Sequence, residues 1–438
     1  MKSKISQLLL DCLHQSPERT SRCQFKLLGQ EDWDQLLLLA RQQALTGLLY
    51  ERLKCRGCET TVPGSFLQSL KQGFMQTAAE NLRLQADLHR ILSHLRKQHI
   101  PALVLKGPHL VAMFYENPAL RKIWDIDLLV PSSSLVQAAE ILQSQGYQPE
   151  TPYSSVKVGT AHAQHLPTFF KPEATPVELD WNIESLKPDV FPNLNIDVGA
   201  LWQKAQTVRI GGVDALGLCT EDLLLHVCIH ASYHHLFGQG LRPLIDVAQM
   251  LSCGSSSVVW PELVRRSREW NVNRGVYLVL RLAKGLVGAN VPNEVLADLR
   301  PDTAHETALF DAQELIWSDR ADSRIVIPHF AVWHASGLAG KLRLSFRRIF
   351  LPPADLAEQY GVAPKSAKLY WYYLVRCKDL MLRHWRTVFR LQGEQELASI
   401  AQRKSSLLNY LAGVPGYMRP GTNPDYTEAS RKAEVACL

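Results

Sequence analysis

Asp125 and Asp127 stand two positions apart in an otherwise apolar run, RKIWDIDLLV (residues 121–130). Side chains alternate along a strand, so both carboxylates point one way while Trp124, Ile126 and Leu128 point the other. Two carboxylates side by side repel, and burial adds a desolvation cost. A divalent cation removes both problems, and Mg²⁺ takes one or two carboxylates together with substrate phosphates. A second acidic strand follows. In PVELDWNI (176–183), Glu178, Asp180 and Asn182 share one face, opposite Val177, Leu179 and Trp181. Two neighbouring strands projecting acids from an apolar frame suit a two-metal site for in-line phosphoryl chemistry. The bland alternative is a solvent-exposed strand edge, since Asp-x-Asp alone is a common pattern.

The elements around these residues alternate in type. Residues 32–53 and 74–99 carry apolar positions at three- and four-residue spacing and read as helices. IPALVLKG (100–107) is short, apolar and ended by glycine, as for a buried strand, and a helix with Pro108 in its first turn follows. WDIDLLV is the next strand, and Ser134 is placed to cap the helix at 135–147. HLPTFF and PVELDWNI form a hairpin around KPEAT. Beyond it the chain is helical again, starting with TEDLLLHVCIHASYHHL, for which Thr220 is the expected N-cap. The expected organisation is a helical region at 1–98, an α/β core at 99–215, a helical region at 216–420 and a frayed tail at 421–438.

LVLKGPHL, LRKIWDIDLLV and VELDW together resemble the nucleotidyltransferase superfamily related to DNA polymerase β, especially its uncharacterised bacterial branch with Lys-Gly at the first strand. The flanking helical stretches resemble the same branch over roughly residues 30–255. The resemblance implies an α+β fold: a minimal polymerase-β-like core, a mixed sheet with helices, between N- and C-terminal helical regions. It implies that Asp125 and Asp127 ligate metal, that Glu178 is the third acid with Asp180 in reserve, and that Arg121 faces phosphate. Arg242 is a further phosphate candidate, although an ion pair with Asp246 one turn on is the simpler reading. Mg²⁺ or Mn²⁺ is the implied cofactor and an NTP, expected to be ATP, the substrate. An NMP would pass to an acceptor that could be a protein, a natural-product peptide, a small molecule or an RNA.

Two departures from the superfamily stand out. Where it has Gly-Ser, this chain has Lys106-Gly107-Pro108; Pro108 has no amide to donate, whereas Lys106 supplies charge and Gly107 allows close approach. Where the branch has Asp-x-His-Trp, this chain reads Glu178-Leu179-Asp180-Trp181. These departures favour the rival reading, a nucleotide-binding or scaffold protein that keeps the fold without turnover. Haloacid-dehalogenase phosphatases fit the residues flanking the Asp-x-Asp poorly. Glycosyltransferases leave Lys106-Gly107 and VELDW unexplained.

His226, His230 and His234 recur at four-residue steps, a spacing that can bind zinc, but the metalloprotease glutamate is missing and no further ligand lies nearby in sequence. A packed helix face of satisfied histidines is the first reading and a nucleotide or acceptor contact the second. Cys55 and Cys58 form a lone C-x-x-C without a second pair and are read as incidental. Basic-aromatic stretches at 341–350 and 376–390 could meet RNA or an anionic membrane surface, but ordinary solvated helix faces are the simpler account. In 438 residues, 46% are hydrophobic and 21% charged, the net charge is +6, and nine cysteines show no disulfide framework. With no membrane-length apolar run and no signal-peptide pattern, the expected location is the cytoplasm.

Overall fold

The computed structural model describes residues 4–151, 164–184, 190–191, 193–252, 258–301, 305–318, 366–393 and 395–413, with single positions between 346 and 363. The predicted tail at 421–438 and most of the basic stretch at 341–350 lie outside the described residues.

The fold is α+β, as predicted. Its described strands are β1 (Leu103–Val104), β2 (Ile126–Leu129), β3 (Gln148–Pro149), β4 (Phe169–Phe170), β5 (Val177–Asp180), β6 (Gln206–Ile210) and β7 (Val213–Gly217). They form one mixed sheet in the order β3-β4-β5-β2-β1-β7-β6. β2 lies near the middle, parallel to β5 and antiparallel to β1. All four of its residues are buried, so a carboxylate here is set into the core rather than onto an edge. The expected hairpin is present, with β4 antiparallel to β5. A second one, β6–β7, turns at Gly211-Gly212, both at positive φ (55° and 88°), as a two-residue primed turn requires. β7 then pairs in parallel with β1, which closes the sheet on that side.

Helices α1 (Lys4–Leu13), α2 (Pro17–Ser21), α3 (Gln30–Gln42), α4 (Thr46–Cys55) and α5 (Gly64–Lys97) precede the sheet. Within it run α6 (Lys106–Phe114), α7 (Leu135–Ser144) and α8 (Val198–Gln203). After it come α9 (Thr220–Ile229), α10 (Arg242–Ser252), α11 (Trp260–Glu269), α12 (Asn273–Val287), α13 (Asn293–Leu299) and α14 (His305–Trp317). Two more helices span Lys368–Gly393 and Gln395–Leu411. A single cluster of buried apolar side chains runs from Ile5 to Leu411, so both helical regions share a core with the sheet.

Local details depart from the sequence reading by a residue or so. Cys219, not Thr220, takes the extended N-cap position of α9, and Ser134 occupies the N-cap of α7 without a side-chain bond. α9 is buried on every side from Asp222 to Ile229, as its apolar sequence demands. It runs on into a π-helical turn, His230–His234, in which the His235 amide donates to the His230 carbonyl. Among the described residues, no helix is long and apolar enough to cross a membrane.

Candidate functional site

Asp127 sits on β2 directly opposite Glu178 on the parallel strand β5. Facing residues of neighbouring strands project to the same side, so the register alone brings these two carboxylates together. Asp125 lies one residue before β2. Its ligating oxygen and those of Asp127 and Glu178 all fall within 4.8 Å of one another. Asp127 is fully buried; its Oδ1 has no hydrogen-bond partner among the described residues, and its Oδ2 meets only a lysine ammonium. Thr168, on the approach to β4, donates to Glu178 Oε1 (3.1 Å) and fixes that side chain. Asp180 is also buried on this face, opposite Leu129, but falls outside the three-carboxylate group.

Trp124 departs from the predicted alternation. β2 begins only at Ile126, whose amide donates to the Pro176 carbonyl (2.9 Å), so strand geometry does not extend back to Trp124. The indole is instead 41% exposed, and the Arg242 guanidinium stacks 4.0 Å from its ring centroid.

Lys106 opens α6 rather than ending a strand, with φ at +44°, a conformation that non-glycine residues adopt at a cost of about 1–2 kcal/mol. Its Nζ lies 3.3 Å from Asp127 Oδ2. Gly107 is required by packing: a Cβ there would meet Ile123 Cγ2 at 2.5 Å and Arg121 Nη1 at 3.2 Å. Pro108 occupies the first turn, where its missing N–H breaks no helical bond.

Arg121 does not present an open fork to the site. Its Nε and Nη2 donate to the two oxygens of Asp246 (2.6 and 2.9 Å), and Tyr115 donates to the same carboxylate (2.6 Å). Asp246 therefore pairs with Arg121, not with its helical neighbour Arg242. This buried fork ties α10 to the segment that leads into Asp125. Asn81 of α5 grips the same segment, donating to the Pro118 and Arg121 carbonyls (2.6 and 2.8 Å) and accepting from the Ile123 amide (3.2 Å).

A cavity of about 730 Å³ adjoins the cluster, within the size range of small-molecule sites. Lys106, Asp125, Glu178 and Arg242 line it, with His226 and His230 along α9 and its π turn and Lys404 from the last described helix. The comparison with known families decides what kind of protein carries this cavity. A family described as uncharacterised nucleotidyltransferase matches residues 29–288, more than half of the chain. The chain belongs to that family. No curated protein and no solved structure matches it.

The acidic cluster is held at a steep electrostatic cost. Burial pushes Asp125 up to about 6, with Asp127 adding to the rise and Lys106, Arg242 and Arg121 opposing it. Burial also raises Asp127 and drives Asp180 well above the ordinary carboxylate range, each partly offset by Lys106. For Lys106, burial opposes the charge, but Asp127, Asp180, Asp125 and Glu178 together outweigh it and raise the ammonium above its usual value. Four carboxylates thus surround one lysine. The residues fit a divalent ion: oxygen donors in excess of local positive charge, with Asp127 Oδ1 unpartnered among the described residues and Oδ2 meeting only the Lys106 ammonium.

The histidines differ from the expected satisfied face. Among the described residues, neither ring nitrogen of the fully buried His226 has a hydrogen-bond partner, and burial lowers both His226 and His230 well below the usual imidazole value. Glu184, which sequence spacing did not suggest, lies 3.1 Å from His234 Nδ1. Lys404 was missed as well, because it arrives from a helix far along the chain. Burial pushes its ammonium down to about 8. Cys55 is exposed and Cys58 buried, and neither is in a disulfide.

Proposed function

We propose that this protein transfers an NMP, AMP from ATP, to an acceptor and releases pyrophosphate. The observation that carries the reading is the three-carboxylate group of Asp125, Asp127 and Glu178, two of them locked at facing positions of parallel strands. Asp125, Asp127 and Glu178 would hold Mg²⁺ or Mn²⁺, with Asp180 beneath them as a supporting negative charge. Bound there, the ion would neutralise charge on the triphosphate and favour the deprotonated acceptor. The amino end of α6 borders the cavity and offers the positive end of a helix dipole to phosphate. Lys106 adds a fixed positive charge beside that end, and Arg242, braced on Trp124, adds a second. Arg121 acts through position: held by Asp246, it supports Gly107 and the start of α6. As the acceptor oxygen bonds to the α-phosphorus, the bond to the bridging oxygen breaks and pyrophosphate leaves with the electron pair.

A second reading, nucleotide binding without turnover, draws on the Lys106–Asp127 ion pair, which supplies the acid cluster with a cation of its own. Incubation with α-labelled NTPs, Mg²⁺ or Mn²⁺ and cell lysate separates the two. Transfer predicts label on an acceptor and pyrophosphate in solution, both abolished by Asp125→Asn or Asp127→Asn, with the double variant little worse than either single one. Nucleotide binding without pyrophosphate release would establish the second reading, and full activity in both single variants would overturn the assignment of the acids.

A further inference from the structure

We propose that Glu184, His230 and His234 form a second metal site, chemically distinct from the three acids, that takes a borderline transition-metal ion such as Zn²⁺. The proposal goes beyond the nucleotidyl-transfer reading and does not rest on it.

The ligands come from separate parts of the chain. Glu184 follows β5 by four residues and is 1% exposed. His230 and His234 are the first and last residues of the π-helical turn after α9. Single π turns of this kind are frequently found at functional sites. One donor atom from each of the three residues falls within 4.8 Å of the others.

The simpler account is a hydrogen bond between His234 Nδ1 and Glu184 Oε1 (3.1 Å). That bond leaves the third residue unexplained. His230 Nε2 lies 3.1 Å from both His235 Nε2 and Gln239 Nε2, while its buried Nδ1 meets no partner among the described residues. One turn earlier, His226 lines the same cavity, fully buried, with neither ring nitrogen bonded among the described residues. Burying polar nitrogens without partners is costly, and a bound ion with its exchangeable ligands would remove that cost.

The donor set selects the ion. Two imidazoles and one carboxylate suit Zn²⁺, Co²⁺ or Fe²⁺ better than Mg²⁺ or Ca²⁺, which favour oxygen alone. Three protein ligands leave a coordination position open to the cavity, the arrangement of catalytic rather than structural zinc. The cavity would then offer two kinds of ion site, an all-oxygen one at Asp125, Asp127 and Glu178 and a nitrogen-rich one here. An acceptor oxygen or nitrogen entering the cavity could take the open position.

The test uses the full-length protein, stripped with chelator and titrated with Co²⁺. With excess Mg²⁺ present to occupy the three acids, one equivalent should bind with a visible d–d absorption band, and Zn²⁺ should displace it. His234→Ala removes a side chain that is 30% exposed, so the fold should tolerate it, and Co²⁺ affinity should fall about 100-fold or more. Glu184→Gln and His230→Ala, checked for folding by circular dichroism, should do the same. The Asp125→Asn/Asp127→Asn double variant should keep the band. No stoichiometric band in the parent protein, parent-like binding by His234→Ala, or loss of the band in the double aspartate variant would each overturn the proposal. Only the last of these would also bear on the acid cluster.

Discussion

Replacing Lys106 with methionine removes the one cation among the described residues in direct contact with Asp127 and keeps the length of the side chain. At 3.3 Å and an effective dielectric near 20, the direct attraction is about 5 kcal/mol before any solvent screening. The lysine is 17% exposed and Asp127 only 1%, so screening trims the value without erasing it. Removing one partner of a buried pair typically costs about 3–5 kcal/mol, because the other charge is left uncompensated. Lys106→Met should therefore lower the metal-free unfolding free energy by about 3 kcal/mol at pH 8, read by urea denaturation.

The sign of its pH dependence follows from the acids. A carboxyl whose folded pKa is raised, as burial raises Asp125 to about 6, binds more protons in the folded state. Its stability penalty is absent below the unfolded value and accumulates as pH rises through the folded one. Without Lys106 the acids rise further, so the deficit of the variant should be largest at pH 8 and shrink toward pH 5. Mg²⁺ offers the cluster a replacement cation, so saturating Mg²⁺ should raise the melting temperature of the variant more than that of the parent. Triphosphate binding should still weaken, on the order of tenfold, for loss of a charge-assisted contact. Lys106→Arg should restore both properties only in part, since its donors are fixed in a plane. Unchanged metal-free stability together with an unchanged response to Mg²⁺ would refute the reasoning and leave Lys106 a bystander.

The acids and the far lysine make separate predictions. Glu178→Gln should weaken Mg²⁺ binding and cost far more turnover than Asp180→Asn, whereas Asp180→Asn should stabilise the metal-free protein at pH 8 by relieving a carboxyl held well above its usual range; the reverse ranking in turnover assays would exchange their roles. Lys404, pushed down to about 8 by burial, binds fewer protons folded than unfolded, so its penalty is full below pH 8 and fades as pH rises toward its unfolded value near 10.5. Lys404→Met should accordingly exceed the parent in stability by on the order of 2 kcal/mol at pH 7 and lose that lead by pH 10, and a lead that did not vary with pH in denaturant titrations would contradict it.

What could be read from the sequence was what a local period records. Alternation across VELDW and DIDLLV placed Asp127 and Glu178 on one face of one sheet, because a two-residue repeat is a direct statement about strand faces. The same rule failed at Trp124, since it holds only while the backbone stays in the strand, and nothing local announced that β2 would begin at Ile126. The β6–β7 hairpin was legible in principle: Gly211-Gly212 between two β-prone runs is a strong turn signal that the sequence reading left unused.

The remaining gaps lie in long-range pairing. Arg242 and Asp246 have helical spacing, but Asp246 instead accepts both prongs of the buried Arg121 fork from 125 residues earlier. Glu184 and His234, 50 residues apart, have no shared period to join them, and Asn81 holds a loop about 40 residues away through backbone atoms that any sequence would supply. The acid cluster needs such supports. Four carboxylates around Lys106 repel one another, so strand pairing, the Asn81 grip and the Arg121–Asp246 fork must together outweigh that repulsion before any ion arrives. The strands that carry the acids are therefore written locally, while the strength to hold them is drawn from both helical regions.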